Sequence, residues 1–494
     1  MICAITYSPL DTAGWNRHAF RVSRNPWLNS RSCFGRLKMR FQHIAMNKII
    51  PVTQALTRRS FLSHTSKTIA GAAALSALPI ERFAFGASPG DTVKIAVVGC
   101  GGRGSGAADQ ALVAGGEGVR LVAMADAFKE KLDGSLKAIK AKHTDHVDVP
   151  DDHKFVGLEG YKQAIAMADM VILATPPGLR PIHFEEAVRQ GKHVFMEKPV
   201  ASDAPGVRRV LAAAVEAKRK NLKVGVGLQR RHQPNYLETV GRLHDGAIGK
   251  VVDLRVYWNG GPVGPKMKRV DLAKKLGRQP TEMEYQIANW YMFAWLCGDH
   301  IVEQHIHNLD VGNWIMDGYP VRCNGMGGRA YQQGPDSGEI FDHHAVEYEY
   351  ADGTRMFSQC RQIPNTWQSV SEYAAGTKGI CDVSGHTIRG DNAYRRRGAA
   401  GESNDGWQLE HYPLIDAIRN DKPYNEAERG AKSTLTAIMG RMATYSGKII
   451  EWDAALNSKL DLMPESYTWD AMPKVLPGPD GLYPYAIPGK AVAL

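Results

Sequence analysis

The sequence predicts an α/β chain: a doubly wound parallel sheet, followed by an α+β domain with an open, mostly antiparallel sheet. Three observations carry this. Val93–Val98 is a short β-branched run that meets glycines at 99, 101 and 104 and continues into a helical stretch. Apolar strand-like runs and helical stretches then alternate to about residue 222. Further on, HAVEYEY at 344–350 alternates its side chains with period two, as a sheet with one wet face does.

At 494 residues the chain exceeds one ordinary hydrophobic core, and 44% hydrophobic with 23% charged residues is a globular composition. The net charge of +10 suggests nucleic acid until it is located. Residues 1–88 hold 12 Lys/Arg and 2 Asp/Glu, whereas the remainder holds 49 of each, so the body is formally neutral and no nucleic-acid partner is expected. The basic segment carries TRRSFL at 57–62, then the small-residue apolar run IAGAAALSALP at 69–79. An Arg pair before a short, mild apolar run reads as a twin-arginine export signal, too short to be a stable membrane span. On this reading residues 1–45 are a spurious or disordered extension and 46–88 the signal and linker. The expected partner is the twin-arginine export machinery, and the expected location is the periplasm. Cys100, Cys297, Cys323, Cys360 and Cys381 lie outside the leader with no CxxC spacing, which leaves room for one disulfide but indicates no zinc site.

The first domain, 89–222, reads as a Rossmann dinucleotide site. The spacing of Gly99, Gly101 and Gly104 provides a tight turn, backbone approach to a pyrophosphate and close helix packing, with Gly102 and Arg103 in the same loop. VRLVAMAD at 119–126 is a second strand ending in Asp126, placed to accept ribose hydroxyls. An acid there repels a 2′-phosphate and favours NAD, while Arg103 keeps NADP open. DMVILATPP at 169–177 and HVFMEKP at 193–199 are further strands. Ligands bind beyond the carboxyl ends of such strands, which puts Thr175, Pro176, Glu197 and Lys198 on the functional rim.

Taken in order, GCGGRG at 99–104, AD at 125–126, ATPPGLRPIH at 174–183 and MEKPV at 196–200 resemble the Gfo/Idh/MocA oxidoreductases, named for glucose-fructose oxidoreductase and inositol dehydrogenase. The resemblance is close over roughly 92–320 and loose beyond. It implies that His183 belongs to the cofactor site. It also implies that Lys198 reaches both the nicotinamide ribose and the substrate hydroxyl. Pro199 restricts Lys198 to extended conformations.

The second domain is expected over 223–475, entered by a strand in VGVGLQRRHQP at 224–234, with a Pro/Gly-rich tail over 476–494. Its densest chemistry is GDHIVEQHIHNLDVGNWIM at 298–316. As one helix this places His300, Glu303, His307, Asp310 and Trp314 on a shared face. The resemblance implies an acid and a catalytic histidine four apart on this helix. His307 matches the histidine, and Glu303 stands where an aspartate is usual. His307 is then the base, Glu303 orients its imidazole, and Lys198 stabilises the developing carbonyl oxygen. Arg230, His300 and Asp310 are the expected substrate contacts. No metal is expected, because the spacing is neither HExxH nor HxxEH.

These readings make an exported NAD(P)-dependent oxidoreductase of a sugar, sugar acid or cyclitol, expected to be a homo-oligomer. An NAD-dependent glycosidase using transient oxidation and elimination would use the same residues. A noncatalytic dinucleotide- or sugar-binding protein is the alternative of another class.

Overall fold

The computed structural model describes residues 92–263, 267–399 and 401–492. The extension and export signal expected over 1–88 lie outside the described residues. Among these, no helix is long and apolar enough to cross a membrane.

The first sheet has six parallel strands: β1 Val93–Val98, β2 Val119–Asp126, β3 Lys154–Val156, β4 Met170–Leu173, β5 His193–Met196 and β6 Val224–Val226. Their spatial order is β3-β2-β1-β4-β5-β6, the doubly wound order. Strands covered on both faces are almost continuously apolar, as in β4 and β5, where every residue is buried. β6 corrects the expected boundary at 222: Val224–Val226 closes this sheet instead of opening the second domain. The following residues Gln229–His232 form a 3-10 turn rather than a strand.

The second sheet contains β7 Val251–Gly260, β8 Arg322–Gly328, β9 His343–Glu349, β10 Arg355–Gln362, β11 Ser369–Gly376, β12 Gly379–Asp382, β13 Thr387–Gly390, β14 Tyr394–Arg395 and β15 Ile450–Glu451. Their order is β14-β13-β12-β11-β7-β10-β9-β8-β15. Only β7 and β10 run parallel, so the sheet is mostly antiparallel, as expected. Along β10 burial alternates: Met356, Ser358 and Cys360 face in, Arg355, Phe357 and Gln359 face out. The inner face is covered by the helices Ile306–Ile315 and Ala427–Ser446. The chain also returns to the first domain, where Leu414, Ile415 and Ile418 of the helix His411–Arg419 join the core beneath β1 and β2. The five cysteines outside the leader are buried free thiols, so the disulfide left open above does not form among the described residues.

Candidate active site

The glycine turn follows from what a side chain would meet there. Gly99 has φ +94, and a Cβ on it would lie 2.6 Å from Ala174 C and Thr175 N at the end of β4. A Cβ on Gly104 would lie 1.9 Å from the Gly99 carbonyl oxygen, so the first helix packs backbone to backbone on the turn. Gly101 and Gly102 have nothing within 4 Å of the same position, which leaves the outer side of the loop open where the helix Gly102–Gly115 begins. Open backbone at a helix N-terminus fits a pyrophosphate. Gly104→Ala is expected to weaken NAD binding about 10- to 100-fold, the effect of roughly 1–3 kcal/mol of overpacking, measured by titration calorimetry.

Asp126 closes the first half of the site. Its carboxylate accepts from the backbone N–H of Cys100 at 2.6 Å and of Phe128 at 2.9 Å, which fixes it beside the loop with lone pairs left for ribose hydroxyls. Burial pushes its pKa up. Arg103 turns toward Glu197, Nε to Oε1 2.8 Å, and also donates to Gln110. Glu197 is thus the buried partner of Arg103, and the guanidinium that kept NADP open is already paired with a carboxylate.

On the rim, Pro176 is half-buried at the start of the turn Pro177–Leu179. Thr175 Oγ1 lies 3.0 Å from His183 Nδ1. His183 itself is buried against the Tyr161 ring, 4.2 Å between centroids, and burial holds its pKa at about 3. It stands behind Thr175 on the rim and positions its hydroxyl.

The stretch 298–316 is not one helix. Gly298 and Asp299 have φ +80 and +76, and two short helices follow, His300–Glu303 and Ile306–Ile315, interrupted at Gln304 and His305. The break redistributes the side chains. Lys198 Nζ donates to the Glu303 carbonyl at 2.5 Å and to Glu303 Oε1 at 3.0 Å. Glu303 therefore holds Lys198 and not the His307 imidazole. Its other neighbour, which the sequence reading missed, is Tyr291, whose hydroxyl bonds it and also accepts from Gln362 Nε2 at 3.4 Å.

His307 is 7% exposed and stacked on Trp258 with centroids 5.9 Å apart and an interplanar angle of 21°. Burial, then the charges of Lys198 and Arg230, hold its pKa well below the usual imidazole range. It is a neutral imidazole beside two cations, the form that accepts a proton.

The three expected substrate contacts are spent elsewhere. Asp310 accepts from Arg231 Nε at 2.8 Å and Nη2 at 2.9 Å and from Ser433 Oγ at 2.7 Å. Arg230 is buried on Glu372 and beneath the rings of Tyr236 and Trp258. His300 is fully buried, its Nδ1 2.9 Å from Asp299 Oδ1. Asp299, His300 and His344 bring ligand-type atoms within 4.8 Å of one another. The Asp299 carboxylate also accepts from Phe341 N at 3.0 Å and Tyr445 Oη at 2.6 Å, so these groups form a hydrogen-bonded cluster under the helix break.

Residues 93–227 match the profile of the Gfo/Idh/MocA oxidoreductase family, NAD-binding Rossmann fold. Over this stretch the chain is similar to the Gfo/Idh/MocA NAD-binding domains. An inositol 2-dehydrogenase of Rhizobium meliloti is 28% identical over 201 residues, 41% of this chain and 55% of that protein. A 2,7-anhydro-N-acetylneuraminate hydratase of Escherichia coli is 25% identical over 259 residues, 52% of this chain and 59% of that protein. The chain thus spans less than two thirds of either relative. The structure of a scyllo-inositol dehydrogenase from Lactobacillus casei with bound NAD(H) and scyllo-inositol superposes with a TM-score of 0.54 at 19% identity, covering 74% of this chain and 100% of that one. That likeness is one of fold, and it extends beyond the nucleotide-binding domain to the second sheet.

Proposed function

We propose that this protein is an exported NAD(P)-dependent oxidoreductase that moves a hydride between the nicotinamide and a sugar, sugar acid or cyclitol. The observation that carries the reading is the neutral His307 facing the Lys198–Glu303 pair, with Lys198 on the rim of an NAD-binding domain. Bound NAD would be held by the glycine loop and Asp126 and would supply the hydride acceptor. Lys198 stabilises the oxygen of the carbinol as it becomes a carbonyl, His307 takes the hydroxyl proton, and Glu303 holds the Lys198 ammonium in place. The inositol dehydrogenase relatives support a polyhydroxylated substrate. The leader sequence supports export by the twin-arginine route into the periplasm. Phe357, Arg255 and Tyr373 lie side by side on the uncovered face of the second sheet, where Phe357 and Tyr373 are exposed apolar groups; this face supports a homo-oligomer.

A second reading rests on the hydratase relatives. Transient oxidation acidifies a neighbouring C–H, elimination or addition of water follows, and the hydride returns to carbon. The same side chains serve, with no net redox change.

Protein expressed in the cytoplasm and then denatured is expected to release a nicotinamide nucleotide, identified by mass and, if reduced, by absorbance near 340 nm. An oxidised polyol as product supports the first reading, and an unsaturated or hydrated product with unchanged redox state the second. Protein that carries no nucleotide and binds none when supplied overturns both and leaves a binding protein.

A further inference from the structure

We propose that Glu372 and Arg230, a buried ion pair on the inner side of the second sheet, are positioning residues that hold Trp258 and, through it, the His307 imidazole. The pair deepens the oxidoreductase reading above, on which it rests, by saying what holds the base.

The His307 ring is not oriented by an acid. Its Nδ1 is buried with no partner among the described residues, and Glu303 is engaged with Lys198. What fixes the ring is packing on Trp258, with centroids 5.9 Å apart. The Trp258 ring in turn lies 6.0 Å from the Arg230 guanidinium, which is also 5.6 Å from the Tyr236 ring. A guanidinium buried among aromatic rings keeps its place only where its charge is met. Glu372 meets it. That carboxylate is 1% exposed, and it also accepts from Asn308 Nδ2 at 2.6 Å and from the Tyr236 hydroxyl at 3.0 Å.

The register explains the placement. Glu372 lies opposite Val256, and Val370 lies opposite Trp258, so Glu372 and Trp258 share the inner face of β11 and β7. Asn308 follows His307 in the helix Ile306–Ile315, and Arg230 comes from the turn Gln229–His232 beyond β6. One carboxylate therefore ties the sheet, the helix that carries the base and the turn that leaves the nucleotide-binding domain. An acid on the apolar face of a sheet is costly without such partners.

The pair also acts through charge. The cations facing His307 are Lys198, paired with Glu303, and Arg230, paired with Glu372. Around them His305 is neutral, its pKa held at about 3 by burial, the Tyr236 hydroxyl is pushed up by burial, and Asp310 is bound to Arg231. Removing the Arg230 charge takes away one of two cations that oppose a proton on His307, whereas removing the Glu372 charge takes away neither. A merely structural role predicts otherwise. Loosened packing admits water and moves the imidazole toward its ordinary value in either variant alike.

The test titrates holoprotein saturated with NAD+ and labelled with 15N-histidine, by NMR from about pH 8 to about pH 4.5, with His307→Ala giving the assignment. Arg230→Gln is expected to raise the midpoint of His307 by at least about half a pH unit. Glu372→Gln is expected not to raise it, and Arg230→Lys, which keeps the charge, to restore the wild-type midpoint. In oxidation of myo-inositol by NAD+, Glu372→Gln is expected to lower kcat about tenfold with KM little changed, as for a base held out of place. Equal midpoints in wild type and Arg230→Gln, or equal upward shifts in Arg230→Gln and Glu372→Gln, overturn the assignment. A wild-type protein that oxidises no polyol overturns the oxidoreductase reading, and the titration still decides whether the pair governs His307.

Discussion

His307→Ala is expected to lower kcat/KM for oxidation of the polyol about 10²- to 10⁴-fold, the range for a lost general base, with bound NAD retained. The imidazole belongs to the helix Ile306–Ile315 of the second domain, outside the glycine loop and Asp126. It stacks on Trp258, and the charges acting on it are those of Lys198 and Arg230. Lys198→Ala is expected to reach a comparable loss by another route, removing the cation at the nascent carbonyl and releasing Glu303 from its ion pair. Glu303→Gln separates the two carboxylate functions: the amide still accepts from Lys198 Nζ, so a small loss means positioning and a large one means that the charge is needed. The pH profile gives an independent readout. His307 sits among cations and away from water, so it stays unprotonated well below the ordinary imidazole value of about 6.5, and the acid limb of kcat/KM is expected below that pH. Unchanged turnover in His307→Ala, or an acid limb at the ordinary imidazole pH, would remove the proposed base.

Why these side chains were legible, and others not, comes down to the range of the interactions. The nucleotide-binding half is written locally: a buried parallel strand must be almost continuously apolar, and the turn after it needs glycine at 99 and 104, where backbone atoms would lie within 3 Å of a Cβ. Lys198 and Asp126 were found because they terminate such strands. The stretch 298–316 misled because its polar residues keep helical spacing straight through the interruption at Gln304 and His305. Glu303 bonds Lys198 at a sequence separation of 105, and Asp310 bonds Arg231 at a separation of 79, so no local pattern could say which acid was free.

The fold is also expected to be acid-labile, with Tm falling by about 2–3 °C between pH 7 and pH 5. Four imidazoles are buried as the neutral form: His183, His305 and His411 with pKa about 3 and His193 about 4, burial being the first cause in each. His307 is lowered in the same way. Below about pH 6.5 the unfolded chain protonates all of them and the folded chain does not, so their contribution is complete above that pH and is lost as pH falls, at about 1.4 kcal/mol per pH unit each. Buried carboxyls act in the opposite direction. Glu339 is raised to about 7, and Glu372 and Glu410 are raised by burial, so the folded chain binds protons there that the unfolded chain does not. With His344 and His386 also lowered, Asp126 and Asp203 also raised and His300 raised, seven imidazoles stand against six groups of the opposite sign among the described residues, which leaves the unfolded state ahead by about one proton, or roughly 1.4 kcal/mol per pH unit. One residue isolates the effect. His411 stacks on Phe195 with centroids 4.3 Å apart, and neither of its ring nitrogens has a partner among the described residues. His411→Phe keeps the ring and removes the proton site, so it is expected to flatten the Tm–pH slope by about one proton while changing Tm little at pH 7.5. Scanning calorimetry from pH 5 to 7.5 decides it: a slope unchanged by His411→Phe would mean that this imidazole is protonated in the folded protein after all.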